Sequence, residues 1–233
     1  MDSIALSSPL EFRTAFNAFG GYCIPVAALH RPAAQTLMAG EVWEPETLAL
    51  VAEVGRQMDV VHAGAFFGDF LPALSRAAST VWAFEPCREN FRCAHMTGLL
   101  NGLSNVRLHH GGLSDYQGEL SLRTREPGGE VLGGASRFVD GNPSGLEERE
   151  LSPVATLDSL LPADRPIAVI QLDVEGHEQR ALTGALVTVR RWRPVLVLET
   201  LPEARWIAAH LAPLGYRQTA VVHDNAVLAV SPD

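Results

Sequence analysis

From about Met58 onward, short apolar runs rich in Val, Leu and Ile alternate with stretches of helical period, and the switch recurs to the end of the chain. Parallel strands need a crossover between them, usually a helix, so this alternation points to βαβ units around a mainly parallel sheet. The strands are expected at Val60–Ala63, Thr80–Glu85, Val106–His110, Ile167–Asp173 and Pro194–Glu199. Helices fall between them at Gly68–Ala77, Arg88–Leu100 and Gly176–Arg190, with Pro202–Leu214 after the fifth strand. Two more strands, Arg217–Val222 and Ala226–Val230, flank the polar turn His223-Asp224-Asn225, which is short enough to join antiparallel neighbours. The α/β fold expected is a Rossmann-like, seven-stranded, mostly parallel sheet with an antiparallel C-terminal hairpin. The hairpin separates it from the plain dinucleotide-binding fold, whose strands are all parallel.

A chain of 233 residues with 47% hydrophobic content can bury one substantial core. Residues 58–233 are therefore read as one domain, and residues 1–57 as a helical extension packed on it, with Phe12, Phe16, Phe19 and Tyr22 as packing aromatics. The stretch at about 114–157 is rich in Gly, Pro and charge and carries two short strands, Glu119–Arg123 and Arg149–Val154. So long an insert in a compact domain is usually functional, and it reads as a substrate-side lid. Within it, Gly133–Gly145 offers a place for an intersubunit contact in a homo-oligomer.

Charge narrows the partners. Lys and Arg number 18 against 27 Asp and Glu, a formal −9, so a nucleic acid would be repelled by the overall field. The densest basic cluster, Arg190, Arg191 and Arg193, sits where a helix should end and complements its dipole. Cys23, Cys87 and Cys93 show no CxxC spacing and cannot all pair within one chain, which fits a reducing compartment. No apolar run approaches the length of a bilayer span, and no basic segment precedes an apolar one at the N-terminus. A soluble, cytoplasmic protein with no membrane partner and a small-molecule substrate is expected.

The segment Val60-Val61-His62-Ala63-Gly64-Ala65-Phe66-Phe67-Gly68-Asp69 reads as a buried strand, a glycine turn and the start of a helix. Gly64 would let the backbone approach a ligand, and Gly68 would turn the chain into its helix. Glu85 ends the second strand 21 residues after Gly64, placed to accept hydrogen bonds from the ribose hydroxyls of an adenosine. A nicotinamide dinucleotide would require small residues where this chain has Phe66 and Asp69, because its pyrophosphate must lie under the helix N-terminus. A phosphate-free adenosyl ligand such as S-adenosylmethionine tolerates both. A glycine turn that only packs a strand on a helix is the plain alternative.

In order along the chain stand Gly64-x-x-x-Gly68, Phe84-Glu85-Pro86, Asn90, Asn101, Asn105-Val106, Leu113-Ser114-Asp115, Gly118, Thr156-Leu157-Asp158 and Asp173-Val174-Glu175-Gly176-His177-Glu178. This set resembles the FkbM family of methyltransferases. The resemblance implies a class I methyltransferase fold, S-adenosylmethionine as cofactor, and methylation of a hydroxyl on a sugar-like or polyketide-like metabolite. Carried onto the matching positions, it implies a cofactor shell of His62, Gly64, Phe67, Gly68, Asp69, Glu85, Pro86, Asn90, Ser114, Asp115 and Asp173. Family members usually carry an acid before the first loop glycine, where this chain has His62, and Asp69 is the acid available to replace it.

On the acceptor side, Asp173 and His177 straddle the turn after the fourth strand and are the catalytic candidates, imidazole being a natural base near neutral pH. Glu175 and Glu199 are read as substrate-side acids, and Glu178 as an acid at a helix N-terminus. A packing histidine and a turn aspartate are the plain readings of His177 and Asp115. No metal ligand set is assigned, and a divalent cation near Asp173 stays open. Two other functions compete with methyl transfer: a nicotinamide-dependent oxidoreductase, and a catalytically silent methyltransferase-like binding module. His109 and His110 are adjacent and would point to opposite faces of a strand, so they cannot share one metal.

Overall fold

The computed structural model describes residues 9–139 and 149–230. The chain opens with a hairpin, β1 (Phe12–Asn17) and β2 (Gly20–Pro25), followed by α1 (Pro32–Met38) and α2 (Pro45–Val54). The N-terminal segment is thus not helical throughout. Its hairpin docks on α4 (Arg88–Leu100), where Thr97 Oγ1 accepts from Cys23 N at 2.9 Å and Asn101 Oδ1 from Gly21 N at 2.9 Å. Of the four aromatics, Tyr22 is fully buried while Phe16 lies 63% exposed, so packing explains the first and not the second.

The core follows as β3 (Asp59–Ala63), α3 (Leu71–Ala77), β4 (Thr80–Glu85), α4 and β5 (Val106–His110). The insert forms β6 (Gly112–Leu113), β7 (Gly118–Arg123), β8 (Arg137–Val139) and β9 (Arg149–Ala155), a separate four-stranded sheet in the order β6-β9-β7-β8. Residues 140–145 of the stretch singled out for an intersubunit contact lie outside the described residues. After α5 (Leu157–Leu160) come β10 (Ile167–Leu172), α6 (Glu178–Thr183), α7 (Leu186–Trp192), β11 (Val195–Leu198), α8 (Ala204–His210), β12 (Tyr216–Val222) and β13 (Asn225–Val230).

The seven core strands run in the order β12-β13-β11-β10-β3-β4-β5. All pairings from β11 to β5 are parallel, and β13 pairs antiparallel with both β11 and β12. The expected sheet is present, hairpin included. His223 and Asp224 both adopt positive φ, 45° and 64°, the twist that a two-residue hairpin turn needs. Every residue of β3 is buried because helices cover both faces of the sheet, which is why the strand is apolar apart from His62 and from Asp59, which pairs with Arg165.

The helix expected over Gly176–Arg190 is two helices. A Cβ on Gly184 would stand 2.0 Å from the Ser114 carbonyl oxygen, so the insert's first turn presses into the helix path and the chain breaks there. His109 stacks on Phe84 at 5.0 Å, and His110 lies against Phe91 at 5.0 Å, so the two imidazoles do part to different neighbours. Among the described residues no helix is long and apolar enough to cross a membrane.

Candidate active site

Strand order reverses at β3, which pairs with β4 on one side and β10 on the other, and the loops leaving their carboxyl ends diverge to open a crevice. At its floor Gly64 has φ +87°, and a Cβ there would stand 1.8 Å from the carbonyl oxygen of Asp173. The neighbouring strand end demands this glycine, before any ligand does. Gly64 and Ala65 then both donate to Phe84 O at 3.0 Å, tying the loop to β4. Gly68, with φ +85°, makes the second turn, packed on Leu71, Ala94 and Thr97.

Phe66 takes a left-handed φ of 46°, and its N–H donates to Glu85 Oε2 at 2.8 Å. That turn corrects one expectation: Phe66 lines the crevice, and Phe67 is fully buried in the N-terminal core cluster, beside Tyr22 and Leu37. His62 is corrected too. Strand side chains alternate, so with Ala63 on the crevice side His62 enters the core, where it stacks on Phe70 at 5.4 Å and hydrogen-bonds Gln171 through Nδ1. Burial pulls its pKa down to about 4, against the hydrogen bond that Nδ1–H donates to Gln171 Oε1, so the imidazole is neutral.

Glu85 ends β4 fully enclosed. Besides the Phe66 amide it accepts from Cys87 N at 2.9 Å and from Asn90 Nδ2 at 3.4 Å. Burial pushes its pKa up to about 8, with the Cys87 and Phe66 amides holding it back. Asn90 also donates to Gly133 O at 3.1 Å and so joins this acid to the insert.

Two adjoining spaces share Gly64, Glu85, Gly134 and Asp173. The first is a slot of about 20 Å³, walled by Pro86, Gly112 and Leu113 and capped by Ser136 and Phe138 from the insert. The second, of about 190 Å³, is lined by Asp69, Asp173, Glu175 and Glu199 together with Arg31, Trp43 and Glu44 from the N-terminal segment. A larger cavity of about 470 Å³ lies between α4 and β5, but it holds no carboxylate and sits at the sheet's edge, so volume does not locate the chemistry.

The acids of the second space crowd one another. Oxygens of Asp173, Glu175 and Glu199 lie within 4.8 Å of each other, an oxygen set of the kind that holds a hard cation. Burial, then the charges of Glu199 and Glu175, raise Asp173 well above the usual carboxylate range. Burial and Glu199 lift Glu175 to about 7, against the pull of Arg31 and Arg137. Burial, and after it Glu44, bring Asp69 to about 7, and burial raises Glu44 itself. Glu175 and Gly176 form a left-handed turn, φ 55° and 90°, and Glu178 Oε1 folds back to accept Val174 N at 3.2 Å. Glu178 therefore fastens the turn that carries the acids.

That turn also redirects the remaining candidates. His177 Nε2 lies 3.1 Å from Ser114 Oγ, and its ring rests on Phe138, which caps the slot, at 5.0 Å, and it lines neither space. Asp115 is paired with Arg180 at 2.8 Å, and although burial raises its pKa the Arg180 hydrogen bond leaves it lowered. Ser114 is fully buried and hydrogen-bonded to Asp115 at 3.1 Å. His177, Ser114 and Asp115 form a polar cluster with Arg180 beside α6, next to Leu113 of the slot wall, and none of the three lines either space. Gly64, Asp69, Glu85, Pro86, Asp173, Glu175 and Glu199 do converge on the crevice. Sequence reasoning missed Arg31, Trp43, Glu44 and Phe138. Only Glu44, immediately before Pro45 at a helix start, left any local signal in the sequence.

The family model of the methyltransferase FkbM domain matches residues 62–217. A search of curated proteins found no match. Among solved structures, the methyltransferase FkbM of Methylobacillus flagellatus KT shows 18% identity and a TM-score of 0.46, covering 74% of this chain and 43% of its own. The present chain thus spans less than half of that protein. TYW2 of M. jannaschii, solved in complex with AdoMet, shows 12% identity over 97% of this chain and 90% of its own, with a TM-score of 0.52. The tRNA (uracil-54, C5)-methyltransferase of Pyrococcus abyssi, solved with S-adenosyl-L-homocysteine, shows 13% identity over 94% of this chain and 43% of its own, with a TM-score of 0.48. The TYW2 likeness is one of fold, in keeping with a class I methyltransferase sheet. The expectation that nucleic acid is not a partner rests on the net charge of −9 alone.

Proposed function

The chain belongs to the FkbM methyltransferase domain family, and from that premise we propose that it is an S-adenosylmethionine-dependent O-methyltransferase acting on a hydroxyl of a small sugar-like or polyketide-like metabolite. One observation carries the reading: a buried acid at the end of β4 and a group of acids at the ends of β10 and β11 line one continuous crevice beside Gly64. S-adenosylmethionine, when bound, supplies an electrophilic methyl group on a sulfonium.

The residues present fit that cofactor. A carboxylate offers about four acceptor positions, and Glu85 uses three, so it retains capacity for a ribose hydroxyl. Pro86, Leu113 and Phe138 give an apolar slot for a flat base, although at about 20 Å³ it now has room for roughly one water and must widen. A cationic group bound beside Asp69 and Asp173 would favour their ionised forms and be matched by them. Asp173, raised well above the usual carboxylate range by burial, and Glu175, raised to about 7, stand where they can orient an acceptor hydroxyl, and Glu175 is matched to take up its proton near neutral pH. Proximity and alignment remain the larger contribution of such a site. The modest second space and the net charge of −9 favour a small acceptor over a polyanion.

Calorimetric titration with S-adenosylmethionine or its demethylated product tests the reading. Binding is expected; a folded chain that takes up neither at millimolar concentration would overturn it.

A further inference from the structure

The second space is lined by Glu44, Asp69, Glu85, Asp173, Glu175 and Glu199 and by one cationic side chain, Arg31. The ionised fraction of these acids repels an anionic group brought into such a space. Arg31 is the exception. It immediately precedes α1, outside the segment matched by the family model, and its Cγ packs 3.1 Å from where a Cβ on Gly133 would stand. It lines the second space together with Glu175, whose pKa its charge holds down. Among the described residues its guanidinium makes no hydrogen bond or close ion pair.

We propose that Arg31 is the binding residue for the carboxylate of the cofactor's amino-acid end, an inference that rests on the cofactor reading above. That end is a zwitterion. Its ammonium is matched by the acids at the strand ends, and its carboxylate can lie only where a guanidinium offsets them. The planar fork of arginine meets a carboxylate with two parallel hydrogen bonds, which lysine cannot do. The N-terminal segment thereby becomes part of the cofactor site, with Gly133 of the insert supporting the arginine stem.

Two ligands separate this role from general damage: S-adenosylhomocysteine, which keeps the amino-acid end, and 5′-methylthioadenosine, which lacks it. Both are titrated calorimetrically into the full chain, the Arg31→Met and Arg31→Gln chains, which keep the packed stem, and Arg31→Lys. Loss of a charge-assisted pair should weaken S-adenosylhomocysteine roughly 10- to 100-fold in the Met and Gln chains, with partial recovery in the Lys chain. Methylthioadenosine should bind all four within about twofold. Unchanged S-adenosylhomocysteine affinity, or equal loss of both ligands, would overturn the assignment of Arg31 while leaving the cofactor reading intact. A wild type that binds neither ligand would overturn the cofactor reading itself, and Arg31 with it.

Discussion

The α-carbon of Gly64 lies so close to Asp173 that any Cβ there would meet the Asp173 carbonyl oxygen at 1.8 Å. The contact is backbone on one side, so no side-chain rotation relieves it, and φ of +87° adds strain for any L side chain. Gly64→Ala should therefore destabilise the fold by about 3 kcal/mol or more, seen in denaturant unfolding. A variant as stable as the wild type would show that the β3 and β10 ends are not packed this closely.

Glu85 connects the loop to the slot. Glu85→Ala removes the acceptor proposed for a ribose hydroxyl and leaves two amides, Phe66 and Cys87, without that partner. Cofactor affinity should fall by about 1–3 kcal/mol in calorimetry. Unchanged affinity in a folded variant would free this acid from any ribose role.

The crowded carboxylates should make stability fall as pH rises. Glu85, raised to about 8, and Asp69 and Glu175, raised to about 7, keep protons in the folded state after the unfolded chain has lost them near its ordinary values of 3.8 to 4.5. The folded state then binds more protons across that interval, so the stability they contribute is complete below it and is lost as pH climbs through 7 to 8. The melting temperature of the ligand-free protein should decline over that window, and the decline should be shallower in Glu175→Gln. Parallel curves for the two proteins would rule the cluster out as the source.

Asp173 and His177 should behave differently. On an acceptor found by screening sugar-like and polyketide-like alcohols, Asp173→Asn is expected to lower turnover by about 100-fold if the carboxylate takes the acceptor proton. His177→Ala removes a hydrogen bond to Ser114 and a ring packed on Phe138, so it should cost about 1 kcal/mol of stability and leave the pH dependence of the rate in place. A flattened pH–rate profile in His177→Ala would restore the histidine as the base.

Sequence alone determined the layers of this protein. Apolar runs and helical period are local properties, and they placed β4, β5 and α4 at Thr80–Glu85, Val106–His110 and Arg88–Leu100 without error. Glu85, Asp173, Glu175 and Glu199 were legible for the same reason: each sits at or just past a strand end, and strand ends in such a sheet gather at one edge. Tertiary structure decided which neighbour of a legible position faces the ligand. Left-handed turns at Phe66 and at Glu175-Gly176 redirect the chain, setting Phe66 in the crevice wall and His177 against Ser114 and Phe138. It also decided what arrives from far along the chain. Arg31, Trp43 and Glu44 reach the crevice because a hairpin docks on α4, and Phe138 because the insert folds as its own sheet over β6, contacts between distant segments that no local period encodes.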